Sequence, residues 1–275
     1  MKDLVIVDSV TGLGPEARGS VVIGGSHCGL FSAYMAAAAR VTGVILNDAS
    51  VGKDSAGIGG LAYLNRLGVP AAAADYRESR IGDGVDCARR GIVRFINACA
   101  QSIGIEQGMA ARAAAALISS CVDLEPAPKP APVPQESRTE LEVLDGSRPI
   151  VLVDSISLVR PGDADAVMVS GSHGGLLGGR PETAVKEDVF ATVYNDAGGG
   201  IDGAGFTRLP ALDRRGIAAA TVDASTARIG DARSTYEDGV VSRINETAEC
   251  FGGRVGMTAF EFVSLLSKIS RGRSE

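Results

Sequence analysis

The chain contains no tryptophan, and phenylalanine and tyrosine are scarce (aromatics 4%), so its core must be built from alanine, valine, isoleucine and leucine. Cysteine is almost as sparse. The five present (Cys28, Cys87, Cys99, Cys121, Cys250) are odd in number and form no CxxC pair, which argues against a disulfide framework and a thiolate zinc site. Lysine and arginine are scattered and the net charge is −6, so the concentrated basic stripe that nucleic acid requires is missing. No apolar run reaches membrane-spanning length, and the start, MKDLVIVDS, lacks the pattern of a signal peptide. A cytoplasmic protein with a small-molecule substrate is expected, with no membrane or nucleic-acid partner; a homo-oligomer is left open. Histidine is the rarest titratable type: there are two.

What is abundant is glycine (36 residues) and internal repetition. VIVDSVTG, VVIGGSHCG, VILNDASVGKDSAG and AAAADYRESRIGDG recur in order as IVLVDSIS, VMVSGSHGG, TVYNDAGGGIDGAG and AATVDASTARIGDA. Residues 47–93 align with 195–241 without a gap, and 20 of the 47 positions are identical. The earlier part aligns at an offset of 146, which pairs Asp8 with Asp154 and His27 with His173; two residues are gained between His173 and Asn195. Such a period marks a tandem duplication. Five alternating prolines in EPAPKPAPVP (125–134) favour an extended joint, so the expected organisation is a first repeat over 1–121, a linker over 122–148 and a second repeat over 149–275.

Within a repeat, short Val/Ile/Ala runs read as buried strands, in the first copy at about 3–7, 20–25, 42–47 and 69–75. Helical patterns fall at 30–40, 54–67, 85–102 and 109–119. Gly68 and Gly216 are placed as helix stops, and Ser234 with Glu237 has the spacing of a capping box. The alternation predicts an α/β fold: a duplicated Rossmann-like or flavodoxin-like unit with mostly parallel sheets and halves related by a pseudo-twofold. The join from Ser9 to Ser20 is short for a helical crossover, so the first strand is expected to be antiparallel or at an edge.

The polar residues collect at the carboxyl ends of the strands, where open α/β sheets bind ligands. There His27 and His173 are candidate general bases, Asp48 and Asp196 their orienting or acid partners, and Ser26 and Ser172 candidate nucleophiles, with Ser9 and Ser155 as alternatives. Glycines around each histidine would let a backbone approach a substrate closely. Asn47, Asn195, Asp75 and Asp223 are candidate substrate contacts, and Arg80 and Arg228 of the repeated Arg-Ile-Gly-Asp loop are candidate carboxylate binders. Asp54, Asp202, Asp83 and Asp231 read as helix caps. Gly198, Gly200 and Gly203, with Asp223 beyond, form a GxGxxG, but Asn195-Asp196 intrudes between strand and glycines and the first copy lacks it.

This inventory favours a hydrolase of a small amide or related C–N bond, an amidohydrolase with glycine-loop amides as oxyanion donors. One alternative is a lyase or isomerase using Mg2+ or Mn2+ held by carboxylates. The other is a two-lobed, non-catalytic binder of a small anion or nucleotide. The divergence of Lys53 from Ile201 points to halves that are no longer equivalent and to a single asymmetric site.

Overall fold

The structure is a computed structural model that describes residues 2–131, 135–144 and 146–269. Residues 132–134 and 145 of the expected linker and 270–275 of the second repeat lie outside the described residues. The fold is α/β with two mostly parallel sheets.

In the first, β1 (Leu4–Val7), β2 (Val21–His27), β3 (Gly43–Asn47) and β4 (Ala71–Ala74) run parallel in sequential order. Helix α1 (Leu30–Ala38) joins β2 to β3, and α2 (Gly60–Arg66) joins β3 to β4. Because the order never reverses, right-handed crossovers place both helices on one face. That face buries Val22, Val44, Leu46, Ala71 and Ala73 against Ala33, Ala36, Leu61 and Leu64. The alternate residues Val21, Ile23, Ile45, Ala72 and Ala74 face the other way, a period of two that buries both sides of the strands. They meet α3 (Gly84–Arg90) and, after β5 (Val93–Ile96) and α4 (Ala98–Ser102), α5 (Ala111–Ser120).

The second sheet begins with β6 (Arg138–Leu141), which pairs antiparallel with β7 (Ile150–Val153). Strands β8 (Val167–His173), β9 (Ala191–Asn195) and β10 (Ala218–Val222) follow in parallel, with α6 (Arg208–Asp213) before β10. After β10 come α7 (Ala232–Asp238), β11 (Val241–Ile244), α8 (Glu246–Cys250) and α9 (Ala259–Ser267), whose Phe262, Val263 and Leu266 fill one face.

The first strand is at an edge as expected, yet parallel; its crossover is made of two 3-10 turns, Val10–Gly12 and Pro15–Ala17. The helix expected over 85–102 is instead α3, β5 and α4. Gly91 leaves the helix in an extended conformation, and the β-branched and aromatic run Ile92–Ile96 then pairs antiparallel with β4. The linker is not free chain: Ala127 is buried against the first unit, and β6 extends the second sheet. Gly68 and Gly216 do stop their helices with φ of +72° and +66°. The cap of α7 is Asp231, which accepts from the Ser234 amide, so the Ser234–Glu237 spacing is not its capping box.

Contacts between the units recur at matching positions. The Lys53 amide donates to the Ala224 carbonyl, and the Ile201 amide to Tyr76 (2.8 and 3.0 Å). Arg228 pairs with Asp54 and Arg80 with Asp202 across the boundary (3.1 and 2.9 Å). Between these pairs Ala49, Ile81, Ala197, Ala204 and Ile229 are buried together.

Candidate functional site

Both Gly-Ser-His turns are built alike. The parallel ladder shifts register at the turn, setting His27 opposite Asn47 and His173 opposite Asn195. Gly25 accepts a hydrogen bond from the Gly82 amide, and Gly171 from Gly230 (2.8 and 2.7 Å). A Cβ on Gly25 or Gly171 would collide with the backbone of the Arg-Ile-Gly-Asp loop. The backbone admitted by these glycines is thus a loop of the protein, where a substrate was expected. Ser26 and Ser172 are likewise occupied: their hydroxyls accept from the amides of Val10 and Ile156 (3.1 and 3.0 Å).

The two imidazoles share one hydrogen-bond pattern. The Gly29 amide donates to Nδ1 of His27 (3.1 Å) and the Gly175 amide to Nδ1 of His173 (3.2 Å). An Nδ1 that accepts carries no proton, so the neutral ring holds its hydrogen on Nε2. Burial pushes the pKa of His27 down to about 4; burial, then the Arg208 charge, hold that of His173 well below the usual range. Both rings are therefore neutral Nε2–H donors at pH 7, and the expected role of general base does not fit this tautomer. Each lies against the glycine of the other copy's loop: a Cβ on Gly230 would stand 3.5 Å from His27, and one on Gly82 3.1 Å from His173.

The other candidates are brought to the same edge but are engaged in holding it. Asp48 accepts from the Ser50 and Tyr76 amides and pairs with Arg94 at 3.0 Å; burial raises its pKa against these contacts. Asp196, also raised by burial, accepts from Gly198 and Ala224. No bond joins either aspartate to a histidine among the described residues. Asn47 and Asn195 bridge Ala49 to Ser79 and Ala197 to Ala227, both fully buried. Asp75 is clamped by Arg77 (2.6 Å), and Asp223 accepts from the Ser225 amide at the surface. Arg80 and Arg228 are committed to Asp202, and to Asp54 and Asp231, so neither is an open carboxylate clamp. Asp54 and Asp202 are not caps: they sit at φ of +54° and +57° and supply those ion pairs. Asp83 and Asp231 cap α3 and α7 as expected. The GxGxxG glycines lie against Ser50, Tyr76 and Phe206 at the unit boundary.

One large cavity, about 550 Å3, opens onto His27. Its walls come from both copies and from the segment between them: Phe31 and Ala56 of the first, Asp154, Arg228 and Gly230 of the second, and Glu136 of the joining segment. Asp154 is fixed by the amides of Ala232 and Ser137 (2.9 and 2.7 Å). Burial, reinforced by the Asp154 charge, pushes the Glu136 carboxyl up to about 7. The matching space in the other copy, around Asp8, Arg80 and Asp83, is entered by Gly178 and Arg180, and Arg180 faces Asp8 at 3.6 Å. Gly178 belongs to the 3-10 turn Leu177–Gly179, and Arg180 joins it to the next, Pro181–Thr183; the two turns stand where the first copy has α1. His173 opens instead onto a separate cavity of about 280 Å3. No family model, curated protein or solved structure matches this chain. The repeat within the sequence is therefore the comparison that bears on the site.

Among the described residues no group of three or more His, Cys, Asp or Glu converges on a point that could hold a metal ion. No described helix is long and apolar enough to cross a membrane. Sequence reading passed over Glu136, which lies in the joint with no counterpart in either copy, and Arg208, whose counterpart is Gly60.

Proposed function

We propose that the chain is a duplicated α/β enzyme with halves related by a pseudo-twofold. It is a cytoplasmic hydrolase that cleaves a small amide or related C–N bond in the His27 cavity. The observation that carries this reading is that two complementary groups line one cavity: a neutral imidazole Nε2–H donor, and a carboxyl that exchanges its proton near pH 7. Ser26 is occupied in a buried hydrogen bond, so the nucleophile is water. Glu136 takes a proton from that water as its oxygen attacks the carbonyl carbon. The His27 Nε2–H then stabilises the charge that builds on the carbonyl oxygen. As the C–N bond breaks, Glu136 returns the proton to the leaving nitrogen, giving a carboxylic acid and an amine.

The closeness of Glu136 and Asp154 supports a second reading, a lyase or isomerase in which these two carboxylates would hold Mg2+ or Mn2+ as a Lewis acid. A panel of small amides, imides and ureas, assayed with and without chelator, separates them. The hydrolase reading predicts chelator-resistant turnover whose kcat/KM rises with pH through about 7. Glu136→Gln should lower it about 100-fold or more, and His27→Gln by about 100- to 1,000-fold. Wild-type turnover in Glu136→Gln would overturn the assignment. Loss of turnover on chelation, restored by Mg2+, would favour the metal reading.

A further inference from the structure

In the first copy Gly60 opens α2 directly beneath α1, and a Cβ there would stand 2.6 Å from Cβ of Ala33. In the second copy Gly178, Gly179 and Pro181 break the helix that would match α1, so the constraint is lifted and Arg208 occupies the place of Gly60. Arg208 is 2% exposed. Its Nε donates to the Gly175 carbonyl (2.9 Å), one terminal nitrogen donates to the carbonyls of Thr183 and Ala184, and the guanidinium packs beside the Tyr194 ring. Among the described residues no carboxylate lies within 4 Å of it, a costly state for a buried cation.

Beside these turns lies the 280 Å3 cavity, lined by Leu177 and Thr183, and Arg208 forms part of its wall. Around it stand the hydroxyls of Ser9, Thr11, Ser155, Ser157, Ser172 and Thr183, with His173 also in the wall. Ile156, Leu177 and Val185 supply an apolar side, and the rim carries one cation, Lys186, and one carboxylate, Glu182.

We propose that this cavity is a second binding site, separate from that of His27, for a small organic monocarboxylate. The ligand carboxylate supplies the counter-charge that Arg208 lacks, and a short apolar tail lies on Ile156, Leu177 and Val185. The cavity is at the small end of ligand sites, roughly 300 Å3. Lys186 and Glu182 offset each other at the rim, so the charge left to be matched is that of Arg208 alone, which suits one carboxylate better than succinate or inorganic phosphate.

Calorimetric titration of the full chain with butyrate, succinate and inorganic phosphate tests the proposal. Saturable butyrate binding is expected, at least tenfold tighter than that of the other two and unchanged in His27→Gln. Arg208→Lys, which keeps the charge but loses the fork, should weaken it about tenfold. Should that variant fail to fold, Ser157→Phe decides, because Ser157 is an exposed wall residue where added bulk obstructs the cavity at little cost to the core; it should abolish binding. Absence of saturable butyrate binding, equal affinity for phosphate, or undiminished binding in Ser157→Phe would each overturn the proposal.

Discussion

A histidine that accepts a backbone N–H at Nδ1 and loses solvent on folding is fixed in one neutral tautomer, and that has an energetic consequence. For His27 the ordinary pKa near 6.5 falls to about 4 in the folded chain. Above pH 6.5 both folded and unfolded forms are neutral, and the contribution to stability is full. Between 6.5 and 4 the unfolded chain takes up a proton that the folded chain refuses, so stability is lost as pH falls. For His27 this amounts to at most about 3 kcal/mol, an upper value because the cavity wets one edge of the ring. Glu136 acts in the opposite sense, since its folded carboxyl binds a proton below about pH 7 while the unfolded one stays ionised. The difference between wild type and His27→Gln removes that background. In denaturant titrations the stability of wild type relative to the variant should fall by up to about 3 kcal/mol from pH 7 to pH 4; a pH-independent difference would contradict the burial assigned to His27.

At the scale of elements, the copies have diverged in concert. Ile201 stands where the first copy has Lys53, and Asp238 where it has Arg90. Across the boundary Lys53 pairs with Asp238 at 2.9 Å, while Arg90 pairs with Asp202 at 2.8 Å. Each copy thus offers α3 or α7 a partner of opposite sign from the other. Both members of the Lys53–Asp238 pair are partly exposed, so the coupling should be small. A double-mutant cycle with Lys53→Asp and Asp238→Lys should return about 0.2–1 kcal/mol, the swapped pair recovering what each single change loses. A coupling of zero would remove the ion pair as the reason for the divergence. The elements lost to sequence reading were short ones beside glycine. β5 is hidden inside an apparent helical run because Gly91 and the antiparallel return to β4 are decided by tertiary pairing, which outweighs local pattern.

For the molecule as a whole, identity between the copies made the mostly parallel strands legible, but it mixed two kinds of constraint. Asn47 and Asn195 persist because each ties a strand end to a distant loop. Asn97 and Asn245, unremarked in the sequence, cap α4 and α8 and bind the start of the neighbouring strand. Gly25 and Gly171 persist because a loop backbone lies against them. Shared polar residues thus report the architecture of the carboxyl edge as much as its chemistry, while each histidine lines a cavity and its Nε2 has no hydrogen-bond partner among the described residues. Glu136 was invisible to such a comparison because it belongs to neither copy, and Arg208 because it belongs to one. The resulting picture is of two mostly parallel sheets, with the first histidine lining the larger cavity and the second the smaller one.

Nitrogen-15 NMR of the imidazole rings tests this account most directly, because a chain with two histidines gives two ring systems and little ambiguity. Both rings should show the neutral Nε2–H pattern at pH 7, and His27 should remain neutral until the pH approaches about 4. An Nδ1–H tautomer, or titration of His27 near its ordinary value of 6.5, would contradict the assignment of the donor and with it the reaction proposed for the cavity.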